Sequence, residues 1–211
     1  MSITVNEWFM WPEKQIPLKT CNKIIKLAEG NWEESSVSLN TEVTDEERKT
    51  GIKEVIGKDN KVRISDIYWS NEQWLYDLIW PYMMTANRDA GWNYEITGAE
   101  SCQITRYGPG GFYNFHADGR CCHLAKYSNS ENKWFYGNVR KISMSLVLND
   151  KFEGGDFEFA SQHKDKIEIT SHKLKRGSLI FFPSHMTHRV AEVTKGIRHS
   201  LVCWFLGPPF K

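Results

Sequence analysis

Apolar residues recur at helical intervals through the first ninety residues and alternate with polar ones through most of the remainder. Leu18, Cys21, Ile24, Ile25 and Ala28 lie three or four positions apart, which predicts an amphipathic helix over 18–29 with Gly30 as its stop. A second stripe of Trp74, Leu75, Leu78, Ile79, Tyr82 and Met83 predicts a core-packing helix that Ser70 caps, Pro81 kinks or restarts, and Gly91 ends. Residues 3–10 and 61–69 read as strands. Residues 31–60 are polar and read as a loop, with one short helical turn signalled at Thr44 to Glu47. From Trp92 onward strands are predicted over 93–96, 100–107, 141–148, 156–159, 166–170, 178–182, 187–193 and 198–205. Short strands joined by glycine turns indicate a sandwich or jelly roll, with the two earlier helices buttressing one outer face.

Composition narrows the class. A chain of 211 residues, 40% hydrophobic, suits a single domain with one core. Residues 1–100 supply the supporting helices and strands, and residues 101–211 the β-rich core. Nine tryptophans, eight tyrosines and eleven phenylalanines suit a broad aromatic sheet core. A formal net charge of +1 gives no field to recruit nucleic acid or an anionic membrane. Mean hydropathy is -0.53, no stretch nears membrane-spanning length, and the first residues lack a basic region followed by an apolar run, so the expected location is cytoplasmic. The five cysteines are scattered, without a C-x-x-C pair, as expected in a reducing compartment. Adjacent Cys121 and Cys122 read either as extra metal ligands or as ordinary loop residues.

The chemistry gathers in Tyr107-Gly-Pro-Gly-Gly-Phe-Tyr113-Asn-Phe-His116-Ala-Asp118, where a glycine turn precedes an imidazole and a carboxylate two residues apart. On extended backbone that spacing puts both side chains on one face. Chance alone gives about 0.3 His-x-Asp pairs in such a chain, so the pattern needs support elsewhere. A second segment, Gly177 to Trp204, offers His185, His188 and His199. His185 falls in a turn and His199 opposes Arg198 and Ser200 across their strand, whereas His188 opens a strand. His116, Asp118 and His188 would then form a two-histidine, one-carboxylate facial set, which suits non-haem Fe(II) and leaves positions open. Arg198 and Ser200 share a strand face, and a buried guanidinium without a neighbouring carboxylate suits a small carboxylate ligand or a distant salt bridge.

Beyond these residues, the chain from Cys102 onward resembles the 2-oxoglutarate and Fe(II)-dependent dioxygenases, in particular the prolyl 4-hydroxylase-like branch that includes bacterial PKHD-type hydroxylases. The resemblance rests on Tyr107, Tyr113-x-x-His116-x-Asp118, Arg140-Lys-Ile-Ser143, Phe152-Glu-Gly-Gly155, Gly177 to Pro183, His188-Arg-Val and Gly196-Ile-Arg198-x-Ser200. It implies an α+β, mainly β fold with a double-stranded β-helix (jelly-roll, cupin-like) core and flanking N-terminal helices. It further implies iron held by His116, Asp118 and His188, with 2-oxoglutarate held by Arg198, Tyr107 and Ser200. Tyr113 and Trp204 would line the substrate side. O2 would be the oxidant and ascorbate a helper. The implied reaction is hydroxylation of a peptide or protein substrate, most simply at proline, with release of succinate and CO2; the oligomeric state is open.

Other readings are a hydroxylase of a non-prolyl or small-molecule substrate, a silent jelly-roll metal-binding module, and a zinc hydrolase on the same ligands. Related halogenases lack the metal-binding carboxylate, so Asp118 favours hydroxylation. Nucleic-acid demethylases of the wider superfamily carry a second arginine after the distal histidine, and Arg198 to Trp204 lacks it. Phe112, Phe115 and Trp204 are candidate pocket walls or core residues. The polar segment Arg120 to Asn138 reads as a lid, a recognition element or decoration.

Overall fold

A computed structural model describes residues 5–38, 56–57, 59–118, 126–127, 135–163 and 166–210. The chain begins with strand β1 (Phe9–Trp11), helix α1 (Leu18–Ala28) and three short strands, β2 (Glu33–Glu34), β3 (Val37–Ser38) and β4 (Ile56–Gly57). Strands β5 (Arg63–Ile64) and β6 (Asp66–Ser70) lead into helix α2 (Gln73–Asp89). Then come β7 (Gly98–Ala99), β8 (Cys102–Tyr107), β9 (Phe112–His116), β10 (Val139–Val147) and β11 (Phe152–Gly154). The last stretch holds β12 (Phe157–His163), β13 (Lys166–His172), β14 (Leu179–Pro183), β15 (Thr187–Val190), β16 (Val193–Gly196) and β17 (Arg198–Gly207).

Two antiparallel sheets face each other as a double-stranded β-helix. The larger runs β1-β14-β10-β17-β8-β6-β2, with β7 added against β17. The smaller runs β13-β12-β15-β9-β5. Alternation decides what each face of the larger sheet meets. Ile142, Met144 and Leu146 of β10, with Leu201, Cys203 and Phe205 of β17, pack against Cys21, Ile24, Leu75, Ile79 and Met83 of the helices. Each aliphatic side chain buried there contributes about 1.5–3 kcal/mol. The alternate positions, including Tyr107, Val147, Ile180 and Phe182, turn inward to meet Phe157, Phe159 and Val190 of the smaller sheet. No helix among the described residues is long and apolar enough to cross a membrane.

Local readings needed correction in several places. The expected strand over 93–96 is absent, because Asn93 is left-handed at φ 50° and the Asn87 side chain takes up both backbone groups of Tyr94, at 2.8 and 2.9 Å. Ser70 closes β6 rather than capping α2. The cap position is Glu72, whose N–H donates to Ser70 Oγ at 3.4 Å. Pro81 does not restart α2, which runs unbroken to Asp89. A lost helical bond of about 3 kcal/mol is offset by the burial of Leu75, Ile79, Met83 and Ala86 along that helix. The turn signalled at Thr44 to Glu47 and the Cys121-Cys122 pair lie outside the described residues.

Candidate metal centre and adjoining pocket

Pairing of β15 with β9 sets His188 directly opposite His116, and Val190 opposite Tyr113. A register shift between those two pairs lets Tyr113 and His116, three residues apart, share the inner face. Asp118 lies beyond the strand at a bend, its N–H donating to Ser184 O at 3.0 Å. The expectation of one extended run thus gave the right neighbours through a different backbone path. The glycine turn before β9 is pinned: Gly110 N–H donates to Val193 O at 2.8 Å, and Val193 N–H to Gly111 O at 2.9 Å.

The trio forms a compact cluster whose ligand atoms all lie within 4.8 Å of one another. Asp118 and His188 are buried at 6% and 5% exposure. His116 Nδ1 lies 2.7 Å from Asn114 O, and His188 Nδ1 lies 2.9 Å from Met186 O. A carbonyl only accepts, so each Nδ1 carries the proton and each Nε2 presents a lone pair. Those Nε2 atoms stand 3.7 and 3.6 Å from the Asp118 oxygens, too far for hydrogen bonds. Acceptors facing acceptors across a buried gap need a cation between them, and nitrogen–nitrogen–carboxylate donors suit a divalent transition metal. Burial, with His188 beside it, pushes His116 down to about 3, which keeps the ring neutral and available as a ligand. Burial alone would raise the Asp118 carboxyl, but His188, His116, Arg140 and the Ser143 hydroxyl together hold it below the usual carboxylate range.

Arg198 faces the same interior, opposite Tyr107 in the β17–β8 ladder. It is 1% exposed, and neither Nη1 nor Nη2 has a partner among the described residues. Burial pushes its pKa down, while Tyr107 and Asp156 push it up. Its guanidinium lies 5.8 Å from the Tyr107 ring and 5.9 Å from the Phe152 ring. Room for it depends on Gly155, at φ +66°, where a Cβ would lie 2.8 Å from Arg198 Cδ. A buried fork whose terminal nitrogens bond no carboxylate among the described residues fits a carboxylate ligand. Ser200 is the next inward residue, buried between Thr105 and Val147.

Tyr113 stacks on His116 with ring centroids 3.5 Å apart, and burial pushes its phenol up to about 12. Trp204 is inward and buried, and its Nε1 has no partner among the described residues. Phe112 and Phe115, candidate walls by sequence, point outward instead. Phe112 pairs with half-exposed Ile64, and the Arg189 guanidinium sits 4.4 Å above the Phe115 ring. His185 sits in the turn after β14, and His199 faces away from the trio toward Trp32, so neither joins the cluster.

Sequence reasoning gave no role to two inward arginines. Arg140 lies 4.2 Å over the Trp204 ring and grips Glu100 at 2.5 and 2.6 Å, while the Tyr127 hydroxyl donates to the same carboxylate. A register shift between Arg140 and Ile142 turns Arg140 to the inner face; counting by twos from Ile142 assigns it to the helix side. Arg63, 8% exposed, sits 4.6 Å over the Tyr113 ring. Its inward face follows from its pairing with Tyr113, which a two-residue strand does not announce.

Comparison with known proteins adds three findings. Residues 102–206 match the sequence profile of the 2OG-Fe(II) oxygenase superfamily. A PKHD-type hydroxylase of Klebsiella pneumoniae is 34% identical over 106 residues, covering 48% of this chain and 41% of the relative. One from Xylella fastidiosa is 35% identical over 104 residues, covering 48% and 42%. The match therefore spans less than half the length of these curated relatives. In fold, the chain is similar to a Trichoplax adhaerens prolyl hydroxylase solved with a hypoxia inducible factor peptide fragment (TM-score 0.64, 17% identity, 95% of this chain and 83% of that one). It is similar too to a viral collagen prolyl hydroxylase from Paramecium Bursaria Chlorella virus-1 solved with 2OG (TM-score 0.61, 18% identity, 96% and 97%).

Proposed function

We propose, for a chain whose residues 102–206 belong to the 2OG-Fe(II) oxygenase superfamily, that the protein is an Fe(II)- and 2-oxoglutarate-dependent dioxygenase hydroxylating a prolyl residue of a peptide or protein. Succinate and CO2 are the co-products. The observation that carries the reading is the convergence, on one interior, of the His116–Asp118–His188 trio with a buried guanidinium whose terminal nitrogens have no hydrogen-bond partner among the described residues. In this reading the trio holds the metal. Arg198 takes the distal carboxylate of 2-oxoglutarate, with Tyr107 beside it and Ser200 next along the strand.

When bound, Fe(II) supplies the activation of O2 that couples decarboxylation of 2-oxoglutarate to oxygen insertion into a C–H bond. The chain's own residues bind, orient and exclude water. Asp118 contributes the negative charge that two neutral imidazoles lack. Phe157, Phe159, Phe182 and Val190 wall the centre with apolar surface, keeping bulk water from a reactive oxidant. Tyr113, stacked on His116, and the Arg140-covered Trp204 ring line the substrate side in this reading. The prolyl assignment draws its support from the prolyl hydroxylases among the similar folds and from the PKHD-type relatives.

The test is mass spectrometry of proline-containing peptides after incubation with the protein, Fe(II), 2-oxoglutarate and ascorbate. A prolyl peptide should gain one oxygen atom with matching succinate, and His116→Ala should abolish both. Succinate formation that persists in His116→Ala overturns the assignment of the metal site. Oxygen gained only on residues or molecules other than proline overturns the prolyl assignment.

A further inference from the structure

Three inward arginines surround this interior, and their surroundings differ. Arg140 is neutralised by Glu100 through two hydrogen bonds. Neither terminal nitrogen of Arg198 has a hydrogen-bond partner among the described residues, as suits a cosubstrate-binding cation in a ligand-free fold. Arg63 is intermediate: Nε donates to Ser65 Oγ at 2.7 Å and Nη2 to Gln103 Oε1 at 2.9 Å, both neutral acceptors. Gln103 Oε1 is itself fixed by a bond from Thr105 Oγ1 at 3.2 Å, and Ser65 Oγ donates to Ser35 Oγ at 3.1 Å. The guanidinium is thus rigidly aimed. No carboxylate pairs with it among the described residues, and Nη1 makes no hydrogen bond there yet is not among the atoms sealed from solvent.

The charges can be assigned one by one. Glu100 serves Arg140, Asp118 serves the metal, and the distal carboxylate of 2-oxoglutarate serves Arg198. Among the described residues Arg63 is left as a buried cation without a paired carboxylate, one aromatic ring from the candidate ligand His116, since Tyr113 lies both beneath it and against that imidazole. A cation–π contact and two neutral acceptors offset only part of the cost of burying a guanidinium. With Nε and one N–H of Nη2 bonded to neutral acceptors, the N–H groups of Nη1 are left to donate to an incoming group.

We infer that Arg63 is a carboxylate-binding site on the substrate side, which selects substrates carrying an anionic group next to the residue that is modified. The carboxylate is that of an Asp or Glu side chain or of a free C-terminus. The inference deepens the hydroxylase reading and rests on it for the identity of the neighbouring residue.

The experiment uses the full chain loaded with Mn(II) in place of Fe(II), plus saturating 2-oxoglutarate so that Arg198 is occupied. Four peptide probes are titrated: acetyl-Ala-Pro-Asp-amide, its Asn counterpart, acetyl-Ala-Pro-Ala with a free C-terminus, and the corresponding amide. Paramagnetic broadening of their proton resonances reports binding beside the metal, independently of turnover. At least one anionic probe should bind about tenfold more tightly than its neutral counterpart, the worth of one charge-assisted hydrogen bond. The arm that gains identifies the source of the carboxylate. Arg63→Gln should erase the preference and Arg63→Lys should keep part of it. Equal binding of charged and neutral probes by the parent, broadening of none of them, or a preference unchanged in Arg63→Gln overturns the inference; the first two are decided without any variant. When the same probes are then incubated with the Fe(II)-loaded protein, a charge preference without their hydroxylation leaves Arg63 assigned and removes the prolyl reading. Hydroxylation without charge preference does the reverse.

Discussion

Replacing Arg198 by methionine separates a binding role from a packing role. In the fold this guanidinium is fully enclosed, with both terminal nitrogens unpartnered among the described residues, and burial pushes its pKa down. Its charge therefore weakens the ligand-free fold. Methionine retains much of the aliphatic stem and removes the charge, so ligand-free Arg198→Met should melt at or above the parent temperature. With Mn(II) and 2-oxoglutarate the order reverses. Parent protein held at 100 times Kd gains about 2.7 kcal/mol, equivalent to roughly 5–10 °C for a chain of this size. Losing a charge-assisted fork of about 3 kcal/mol raises Kd on the order of 100-fold. At the same cosubstrate concentration the variant then keeps about 0.4 kcal/mol, a shift of roughly 1–2 °C. Differential scanning fluorimetry with and without 2-oxoglutarate reads both effects. A ligand-free melting point several degrees below the parent would show that Arg198 holds the fold through its own contacts. An undiminished cosubstrate shift would show that another cation takes the carboxylate; either result refutes the reasoning.

Two further outcomes follow from nearby residues. Gly155→Ala forces a Cβ into a φ of +66°, 2.8 Å from Arg198 Cδ and 2.9 Å from Val193 Cγ2, so it should cost about 1–3 kcal/mol in urea denaturation and weaken 2-oxoglutarate binding in the same titration. Burial, with Arg106 and Arg198 adding to it, pushes His199 down to about 4 from its ordinary 6.5. The unfolded chain takes up this proton and the folded one does not, so the group's contribution is complete above pH 6.5 and is lost as pH falls toward 4. His199→Gln should flatten the fall in urea midpoint across that window, and an unchanged slope would remove His199 from the acid response.

What the sequence disclosed depended on whether period and face survive locally. α1, β17 and β10 from Ile142 onward were legible because their apolar positions repeat without interruption, and the two helices were correctly set against one face. The ligand trio was legible because His188 opens a strand while His185 and His199 do not share its face. Arg140 was hidden by a single extra residue, which reverses the inside and outside of everything before it on that strand. Phe112 and Phe115 were misassigned for a related reason: the register shift in β9 turns the inner positions to Tyr113 and His116. Arg63 belongs to a strand too short to show alternation at all, so its place follows only from what it pairs with. Tyr127 reaches Glu100 from within the polar segment after Asp118, a contact with no local sequence signal.

Both candidate metal-binding rings are steered by carbonyl oxygens two residues earlier in the chain, Asn114 O for His116 and Met186 O for His188. Main-chain atoms survive replacement of the side chains they belong to, so the aim of each imidazole does not depend on the identity of residue 114 or 186. Residues 114 and 186 can therefore change without altering the aim of either ring. A centre oriented this way also needs no refolding to accept its metal. Loading becomes a matter of ion supply and competition rather than of chain rearrangement, and the same scaffold can be retuned for new substrates while its inorganic chemistry stays constant.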